Sequence, residues 1–449
     1  MKNKISEKLK LLASKLPYPL YLVGGSPRNY LISKQLGTDY DLSSATTAEQ
    51  LEKTAIELGF KIVAVYKRTN TVLFKEGEVQ FEFASFRREK YIGGEHTPYS
   101  VEHTLDIKED ALRRDFKCNA VYYDIGADKF VDPLGGIEDI KNKRLDTVTD
   151  AKVVFSHDGL RLMRLARFAG ELGFTPTEET LNGATLYAKN ITQIVPERIY
   201  EELKKILISD KKHSFSSKDG HYLGLKILSE TGVLKYILPE LALGKNMTQR
   251  ADFHNFTVLE HSLKAVLYAD ESIRLSALLH DIGKPYAFNT YGKFASHDKY
   301  GEKIAREVLT RLKAPVKVIE EVCQLTLLHM VDFDGKMKEN KVKLFIARNH
   351  KILDKLLLLK QADFSACKGD ENIAPTVQKW KNIYSEMLKK ATPLSLKDLS
   401  VNGDDLKRLG FKGEEIKKVL DEIFIECVIF PERNNKEKIL KRLKGRKKD

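Results

Sequence analysis

Cysteine is scarce in this 449-residue chain: four residues, Cys118, Cys323, Cys367 and Cys427, stand far apart with no Cys-x-x-Cys pair. Such scatter fits reduced thiols and argues against a zinc knuckle. No apolar run reaches the roughly 20 residues needed to span a bilayer. The start MKNKISEKLKLLASKLP is amphipathic, carries acidic residues and lacks a signal-type apolar core. Fixed-period repeats and low-complexity tracts are absent too, so a cytoplasmic protein without a membrane partner is expected. What the chain has in excess is positive charge, +13 formal with a pI near 9.2. That balance suits a polyanion, and the basic end Lys436 to Lys448 (KEKILKRLKGRKK) is either a segment that follows an RNA backbone or a solvated face. The length supplies material for several domains.

The densest chemistry lies near the amino end. Tyr18 to Val23 reads as a short buried strand, Gly24-Gly25 lets the backbone approach a ligand, and Ser26 then Pro27 suit the cap and first turn of a helix opening at Arg28. Backbone N–H groups at a helix start and a guanidinium attract phosphate oxygens without base preference. In the extended segment Asp39-Tyr40-Asp41 both carboxylates project from one face, where they repel unless a cation sits between them. Mg²⁺ binds through one or two carboxylates plus substrate phosphates. Glu82, between Phe81 and Phe83 on an alternating strand, is a third candidate carboxylate on the polar face. Taken singly, Asp-x-Asp also describes a solvated turn, and Gly-Gly is weaker still.

The order of these pieces resembles a family. Gly24-Gly25-Ser26-Pro27-Arg28, the Asp39/Asp41 pair, Arg113-Arg114-Asp115-Phe116-Lys117-Cys118-Asn119-Ala120, Asp132-Pro133-Leu134-Gly135-Gly136 and Asp158-Gly159-Leu160-Arg161-Leu162-Met163-Arg164 look like the successive motifs of the class II tRNA nucleotidyltransferases and their bacterial poly(A) polymerase relatives. The likeness continues through Glu197-Arg198-Ile199-Tyr200-Glu201-Glu202-Leu203 and, faintly, Val401-Asn402-Gly403-Asp404-Asp405-Leu406. It implies an α+β fold, with a polymerase-β-like mixed-sheet catalytic head followed by an elongated all-α neck, body, HD domain and tail. The implied activity is template-free addition of C, C and A to the 3′ end of tRNA from CTP and ATP, with Mg²⁺ on Asp39 and Asp41. Gly24, Gly25, Arg28, Arg114, Asp115, Asn119, Asp158, Arg161 and Arg164 are then nucleotide-binding residues, with Asp115 and Asn119 on the ribose and Arg114 on the phosphates. Close alternatives are a poly(A) polymerase and a split enzyme that adds only A or only CC.

Base choice has a physical rationale in the residues themselves. Asp158 stands one turn before Arg161, at the start of a helical stripe carrying Leu162, Leu165, Ala169 and Leu172. A carboxylate that accepts and a guanidinium that donates complement the amino group and ring nitrogen shared by cytosine and adenine. An ordinary i to i+3 ion pair is the plainer reading. The stretch 87–103, with Gly93-Gly94 and Pro98, reads as a mobile loop; in the family a loop here accompanies the switch from C to A addition. Three residues depart from the family pattern: Pro27, Asn29 where Asp is usual, and His157 where Glu commonly precedes Asp158.

The second half suggests another chemistry. His-Asp occurs at 157–158, 280–281 and 297–298, so its surroundings decide. His280-Asp281 ends the apolar segment 275–279, His261 lies in a helical stretch, and Asp363 follows Leu356 to Leu359. Four N/O ligands from three helices suit Mn²⁺, Fe²⁺, Ni²⁺ or Mg²⁺ better than a thiolate-seeking ion. The set resembles the HD phosphohydrolase superfamily, with His297 and His329 available for a second metal or a phosphate; core histidines are the plainer alternative. The expected division is a catalytic head over 1–145, a helical neck and body over 146–250, an HD domain over 251–370 and a helical, tRNA-binding tail over 371–449.

Overall fold

The computed structural model describes residues 1, 5–36, 39–91, 94–96, 98–248 and 256–446. The chain forms two compact units, one of residues 1–243 with 310–314, the other of residues 244–309 with 315–449.

The first unit opens with a mixed sheet. Its strands are β1 Tyr21–Val23, β2 Asp39–Ser44, β3 Lys61–Tyr66, β4 Thr71–Glu76, β5 Val79–Ser85, β8 Tyr122–Asp124 and β9 Lys129–Val131, in the order β3-β4-β5-β2-β1-β8-β9. Only β2 and β5 run parallel; all other neighbours are antiparallel. Alternation along these strands builds the core. Leu22, Leu42, Val72, Phe74, Phe81 and Phe83 bury against Leu9 and Leu12 of the helix Glu7–Lys15 and Leu51 and Ala55 of the helix Ala48–Glu57. Val23, Phe86, Ala120 and Tyr122 enter a second cluster with Val148 and Val154. Polar residues between the apolar ones, Asp41 and Glu82 among them, are left exposed.

Helices follow the sheet. Leu160–Leu172 is buried along almost its whole length and crosses Gly220–Glu230 at two glycines. A Cβ on Gly170 would lie 2.4 Å from the Gly220 carbonyl oxygen, and one on Gly220 would lie 2.3 Å from that of Gly170. No side chain fits there, so the crossing fixes the helix that carries the arginines of the site.

The second unit is all-α in its described residues. Val258–Tyr268 starts at a capping box of Thr257 and Glu260, and Leu353–Lys368 ends at Gly369 in the left-handed region. Trp380 is fully buried and its indole N–H donates to Asp332 at 2.8 Å. The Asn402/Asp405 pair of the faint motif at 401–406 is also a capping box, on the helix Gly403–Arg408.

Several local expectations change. The helix expected at Arg28 begins at Gly25, capped by Gly24 at φ +74°, so Ser26 and Pro27 lie within its first turn, where an absent N–H costs nothing. The strands expected at 18–23 and 120–123 are Tyr21–Val23 and Tyr122–Asp124. Residues 87–103, expected as a loop, contain a hairpin of β6 Arg87–Lys90 and β7 Ser100–His103, paired from Arg87↔His103 to Lys90↔Ser100. Cross-strand ion pairing, Lys90 to Glu102 at 2.7 Å, replaces the apolar alternation that sequence reading looks for. Residues 92, 93 and 97 of that stretch lie outside the described residues.

Substituting Gly170→Ala should destabilise the first unit by about 1–3 kcal/mol, the usual cost of overpacking. Urea unfolding followed by tryptophan-independent far-UV circular dichroism measures it, and an unchanged midpoint would contradict the glycine crossing.

Candidate active site

The turn after β1 brings the backbone against a carboxylate. A Cβ on Gly24 would lie 3.0 Å from Asp41 Oδ2, so the glycine serves both the positive φ and the clearance at that oxygen. Asp41 faces Val23 across β1 and Glu82 across the parallel β2–β5 pair, which sets Asp41 and Glu82 side by side. Asp39 opens β2 two residues earlier, but its side chain lies outside the described part of the structure.

From this edge a cavity of about 810 Å³ extends, lined by ten of the expected residues: Gly24, Gly25, Arg28, Asp41, Arg114, Asp115, Asn119, Asp158, Arg161 and Arg164. Glu82 lies beside Asp41 but is not among the lining residues. Arg28, Arg87, Arg113, Arg114, Arg161, Arg164, Arg167 and Lys212 all line it, so one cavity collects eight basic side chains. Like charges this dense must be held apart by fixed anions.

Asp115 is the first such anion. Its Oδ2 accepts from Arg164 Nε at 2.7 Å and Nη2 at 2.5 Å, while Oδ1 accepts from Asn119 Nδ2 at 3.0 Å and the Phe116 N–H at 2.8 Å. Burial pushes this carboxyl up, but Arg164 and the hydrogen bonds outweigh it and hold it well below the usual carboxylate range. Asn119 Oδ1 in turn accepts from Arg28 Nη1 at 2.5 Å. Arg28 forks onto Asn29 Oδ1 from Nε at 3.1 Å and Nη2 at 2.9 Å, so the amide at 29 keeps the geometry of a carboxylate there without its charge. Arg28, Arg164 and Arg167 all lie over the Phe168 ring, 5.2, 5.1 and 4.2 Å from its centroid.

Asp110, fully buried, does the same for the next two arginines. It accepts from Arg113 Nε at 2.7 Å, Arg114 Nη2 at 3.1 Å and the Tyr122 hydroxyl at 2.7 Å. Against the upward push of burial, Arg113 and Arg114 hold its carboxyl far down. Glu89 pairs with Arg87 at 2.7 Å and Arg113 at 3.2 Å.

Asp158 sits in extended backbone between the helices Ala151–His157 and Leu160–Leu172 rather than inside the second. Its Oδ1 accepts the Leu160 N–H at 2.8 Å, and Oδ2 lies 2.8 Å from His96 Nδ1. Arg161 is close, with Nε 3.9 Å from Asp158 Oδ2, but its hydrogen bonds go to carbonyls, Nη2 to Arg113 O at 2.6 Å and Nη1 to Val154 O at 3.3 Å. The ion pair of the plainer reading is therefore a loose one: Arg161 is oriented by backbone carbonyls, Asp158 by the Leu160 N–H together with His96. His157 stacks on Tyr91 at 5.4 Å, and burial together with Arg161 lowers its proton affinity.

The second unit gathers the other expected ligands. His261 Nε2 lies 3.2 Å from His280 Nε2, 3.0 Å from Asp363 Oδ1 and 3.5 Å from Asp281 Oδ2. Asp281 Oδ1 lies 3.2 Å from His297 Nε2 and 3.6 Å from His329 Nε2, which are 3.2 Å apart. Nδ1 of His280, His297 and His329 faces the carbonyls of Ala277, Phe294 and Thr326 at 2.8, 2.8 and 2.6 Å. A carbonyl accepts only, so each Nδ1 carries a proton, which leaves each Nε2 able to offer its lone pair inward to a cation. Such converging imidazoles and carboxylates could hold a divalent cation, and Asp281 offers one oxygen to each half of the cluster. The four described cysteines are free thiols; Cys367 stands at the rim, its Sγ 3.9 Å from Asp363 Oδ1.

Glu89, Tyr91, His96, Asp110 and Arg167 were missed by sequence reasoning, and Glu202, inside the motif at 197–203, was given no role. Arg161, Arg164 and Arg167 recur every third residue beside an apolar stripe, a signal that would have found Arg167. Glu202, which accepts from Arg167 at 2.7 Å, lies thirty-five residues from it, and such pairings leave no local trace.

Known proteins resemble this arrangement. Residues 20–146 match the Poly A polymerase head domain, residues 173–243 the probable RNA and SrmB-binding site of polymerase A, and residues 254–364 the HD domain. The A-adding tRNA nucleotidyltransferase of Deinococcus radiodurans is 30% identical over 372 residues, 79% of this chain and 78% of that protein. A CCA-adding enzyme of a Geobacillus species is 34% identical over 243 residues, 54% of this chain and 56% of its own. The crystal structure of the Bacillus stearothermophilus CCA-adding enzyme in complex with CTP shares the fold, with TM-score 0.69 and 24% identity over 99% of this chain and 98% of that one.

The depressed carboxyls of Asp110 and Asp115 fix the sign of a pH effect. Their stabilisation is complete above the unfolded carboxylate value of about 4 and is lost as pH falls through the lower folded values. The urea midpoint of the parent should therefore drop below about pH 4. Asp115→Asn should be less stable at neutral pH and show a shallower acid dependence; parallel curves for parent and variant would contradict the assignment.

Proposed function

As the chain belongs to the family of tRNA nucleotidyltransferases and bacterial poly(A) polymerases, we propose that it adds C, C and A without a template to the 3′ end of tRNA, taking CTP and ATP and releasing pyrophosphate. The observation that carries this reading is the single cavity uniting Asp41, the glycine turn, the arginine array and the Asp158/Arg161 pair. The turn at Gly24 and Gly25 with Arg28 receives the triphosphate, Arg114 adds charge, and Asp115 with Asn119 faces the ribose. Asp39 and Asp41 hold Mg²⁺, with Glu82 as third carboxylate; the clearance at Gly24 and the exposure of Asp41 fit a cation shared with phosphate oxygens. A divalent ion there supplies charge neutralisation at the α-phosphate. The terminal ribose hydroxyl of the RNA gives its proton to Glu82, its oxygen forms the new bond to the α-phosphorus, the bond to the bridging oxygen breaks, and the arginines take the negative charge of the departing pyrophosphate.

Asp158 accepts from the base amino group and Arg161 donates to the ring nitrogen, an arrangement that uracil and guanine meet with the reverse pattern. Each polar group left unpaired by the wrong base costs about 1–3 kcal/mol, or one to two decades of selectivity. The basic character of the chain suits tRNA as partner, and the same reading assigns a catalytic head to residues 1–145, a neck and body to 146–250, an HD domain to 251–370 and a tRNA-binding tail to 371–449. That partner is met in the cytoplasm.

The cluster of the second unit supports a second activity. We assign His261, His280, Asp281 and Asp363 to one divalent metal, Mn²⁺, Fe²⁺, Ni²⁺ or Mg²⁺, and His297 and His329 with the other Asp281 oxygen to a second or to phosphate. Removal of terminal or cyclic phosphate from RNA ends is the matching reaction, since it frees the hydroxyl that the transferase extends.

The test supplies tRNAs lacking the last one, two or three nucleotides, with each nucleoside triphosphate alone and together. Addition should stop once CCA is complete; unlimited A would identify a polymerase, and A alone or CC alone a split enzyme. Asp41→Ala should lower incorporation by at least about a thousandfold, the scale of a lost electrostatic catalytic group. Metal analysis of the Mn²⁺-equilibrated protein should find bound metal that His280→Ala loses, with incorporation of nucleotides unchanged. Retention of the metal by that variant would rule out the cluster as its site.

A further inference from the structure

The helix Gly283–Tyr291 follows directly on His280-Asp281 and carries an unusual amount of exposed ring surface: Tyr286 is 46%, Phe288 42% and Tyr291 52% exposed. Its residues Lys284, Phe288 and Tyr291, spaced i, i+4, i+7, lie on one side. That side is continuous with the metal-ligand cluster. The Lys284 ammonium is 2.6 Å from Asp281 Oδ2 and 5.9 Å from the centre of the Phe294 ring. Phe294 packs on Phe288 at 5.3 Å, and its carbonyl orients His297. Tyr300, one turn along the helix His297–Arg311, meets Tyr291 at 5.7 Å and Tyr286 at 5.1 Å. Lys293, Lys299 and Lys303, close in sequence to these rings, are exposed.

Hydrophobic packing alone does not explain rings left in water beside a buried polar cluster. Exposed aromatics interleaved with lysines are what a single-stranded nucleic acid uses, bases on the rings and phosphates on the ammonium groups. We propose that Phe288 and Tyr291, flanked by Phe294 and Tyr300, form a stacking track for the last unpaired bases of an RNA, which delivers its terminal phosphate to the His261/His280/Asp281/Asp363 cluster. The proposal rests on the phosphohydrolase reading of that cluster and deepens it: the RNA end is held through its unpaired bases, a grip that free small phosphate esters without a base do not have. Lys284, at the junction of rings and cluster, meets the terminal phosphate.

The experiment uses the full chain with Mn²⁺ and two esters of the same kind, a short unstructured oligoribonucleotide ending in a 2′,3′-cyclic phosphate and glycerol cyclic phosphate, which has no base. In Phe288→Ala/Tyr291→Ala the KM for the RNA should rise about five- to a hundredfold per base stacked, with kcat for both esters and KM for the glycerol ester unchanged. Phe288→Tyr/Tyr291→Phe should restore the parent value. An unchanged KM for the RNA, or an equal loss on both esters, overturns the track while leaving the phosphohydrolase reading in place. If the parent hydrolyses neither ester, that reading fails, and the track is judged by cross-linking the same RNA carrying a terminal 5-iodouridine. Adducts on the helix Gly283–Tyr291 uphold it, and adducts only elsewhere overturn it. A change in oligomeric state of the double alanine variant in sedimentation would make the patch a contact between copies and also overturn the proposal.

Discussion

The carboxylate of Asp115 is the interaction on which the site depends. It receives two N–H groups of Arg164, the amide of Asn119 and a backbone N–H, and through Asn119 it reaches Arg28. Removing one partner of a buried charged pair costs about 3–5 kcal/mol, because the other is left uncompensated. Here the loss would spread, since Arg28 and Arg164 share the Phe168 ring with Arg167. Asp110 and Glu89 repeat the device for Arg87, Arg113 and Arg114. The outcome is a set of guanidinium groups whose positions are fixed before any polyphosphate arrives. Preorganised charge of this kind costs no rearrangement when the ligand's own charge develops.

The pair proposed to read the base is built differently. Asp158 and Arg161 are oriented less by each other than by their surroundings, the Leu160 N–H and His96 for one and the Arg113 and Val154 carbonyls for the other. A pair that does not saturate itself keeps capacity for a third partner, which a tight ion pair would lack. The hairpin of β6 and β7 reaches this pair through His96 and through the Gly94 carbonyl, which accepts the Gly159 N–H at 2.9 Å. In the second unit the orienting groups are again carbonyls, now fixing imidazole tautomers, so that three rings present lone pairs to one interior. Both units thus use backbone groups to orient side chains for the roles proposed for them, recognition of a base edge in one and capture of a cation in the other.

Much of this was legible in the sequence where the chemistry is local. The Gly24-Gly25 turn after a strand, Glu82 between two buried aromatics, and His280-Asp281 at the end of an apolar helix are patterns of neighbouring residues, and the structure sets them where those patterns imply. The helix start at Gly25 was misplaced because a positive φ at Gly24 serves as cap where Ser26 has the better capping side chain. The hairpin over 87–103 was misread because its strands are held by charges and by pairing to distant backbone rather than by apolar alternation. Asp110 and Glu89 were invisible for a simpler reason. Their meaning comes from arginines brought to them by the fold, and an isolated acidic residue carries no mark of that future contact.

The central claim is that the arginine array grips phosphate while Asp158 and Arg161 alone read the base. Equilibrium binding of CTP, ATP, UTP and GTP to the parent and to Asp158→Ala/Arg161→Ala, by calorimetry, separates the two roles. The account predicts that the parent prefers CTP and ATP, and that the variant binds all four alike with an affinity near that of the parent for UTP. Retention of the CTP and ATP preference by the variant would contradict it.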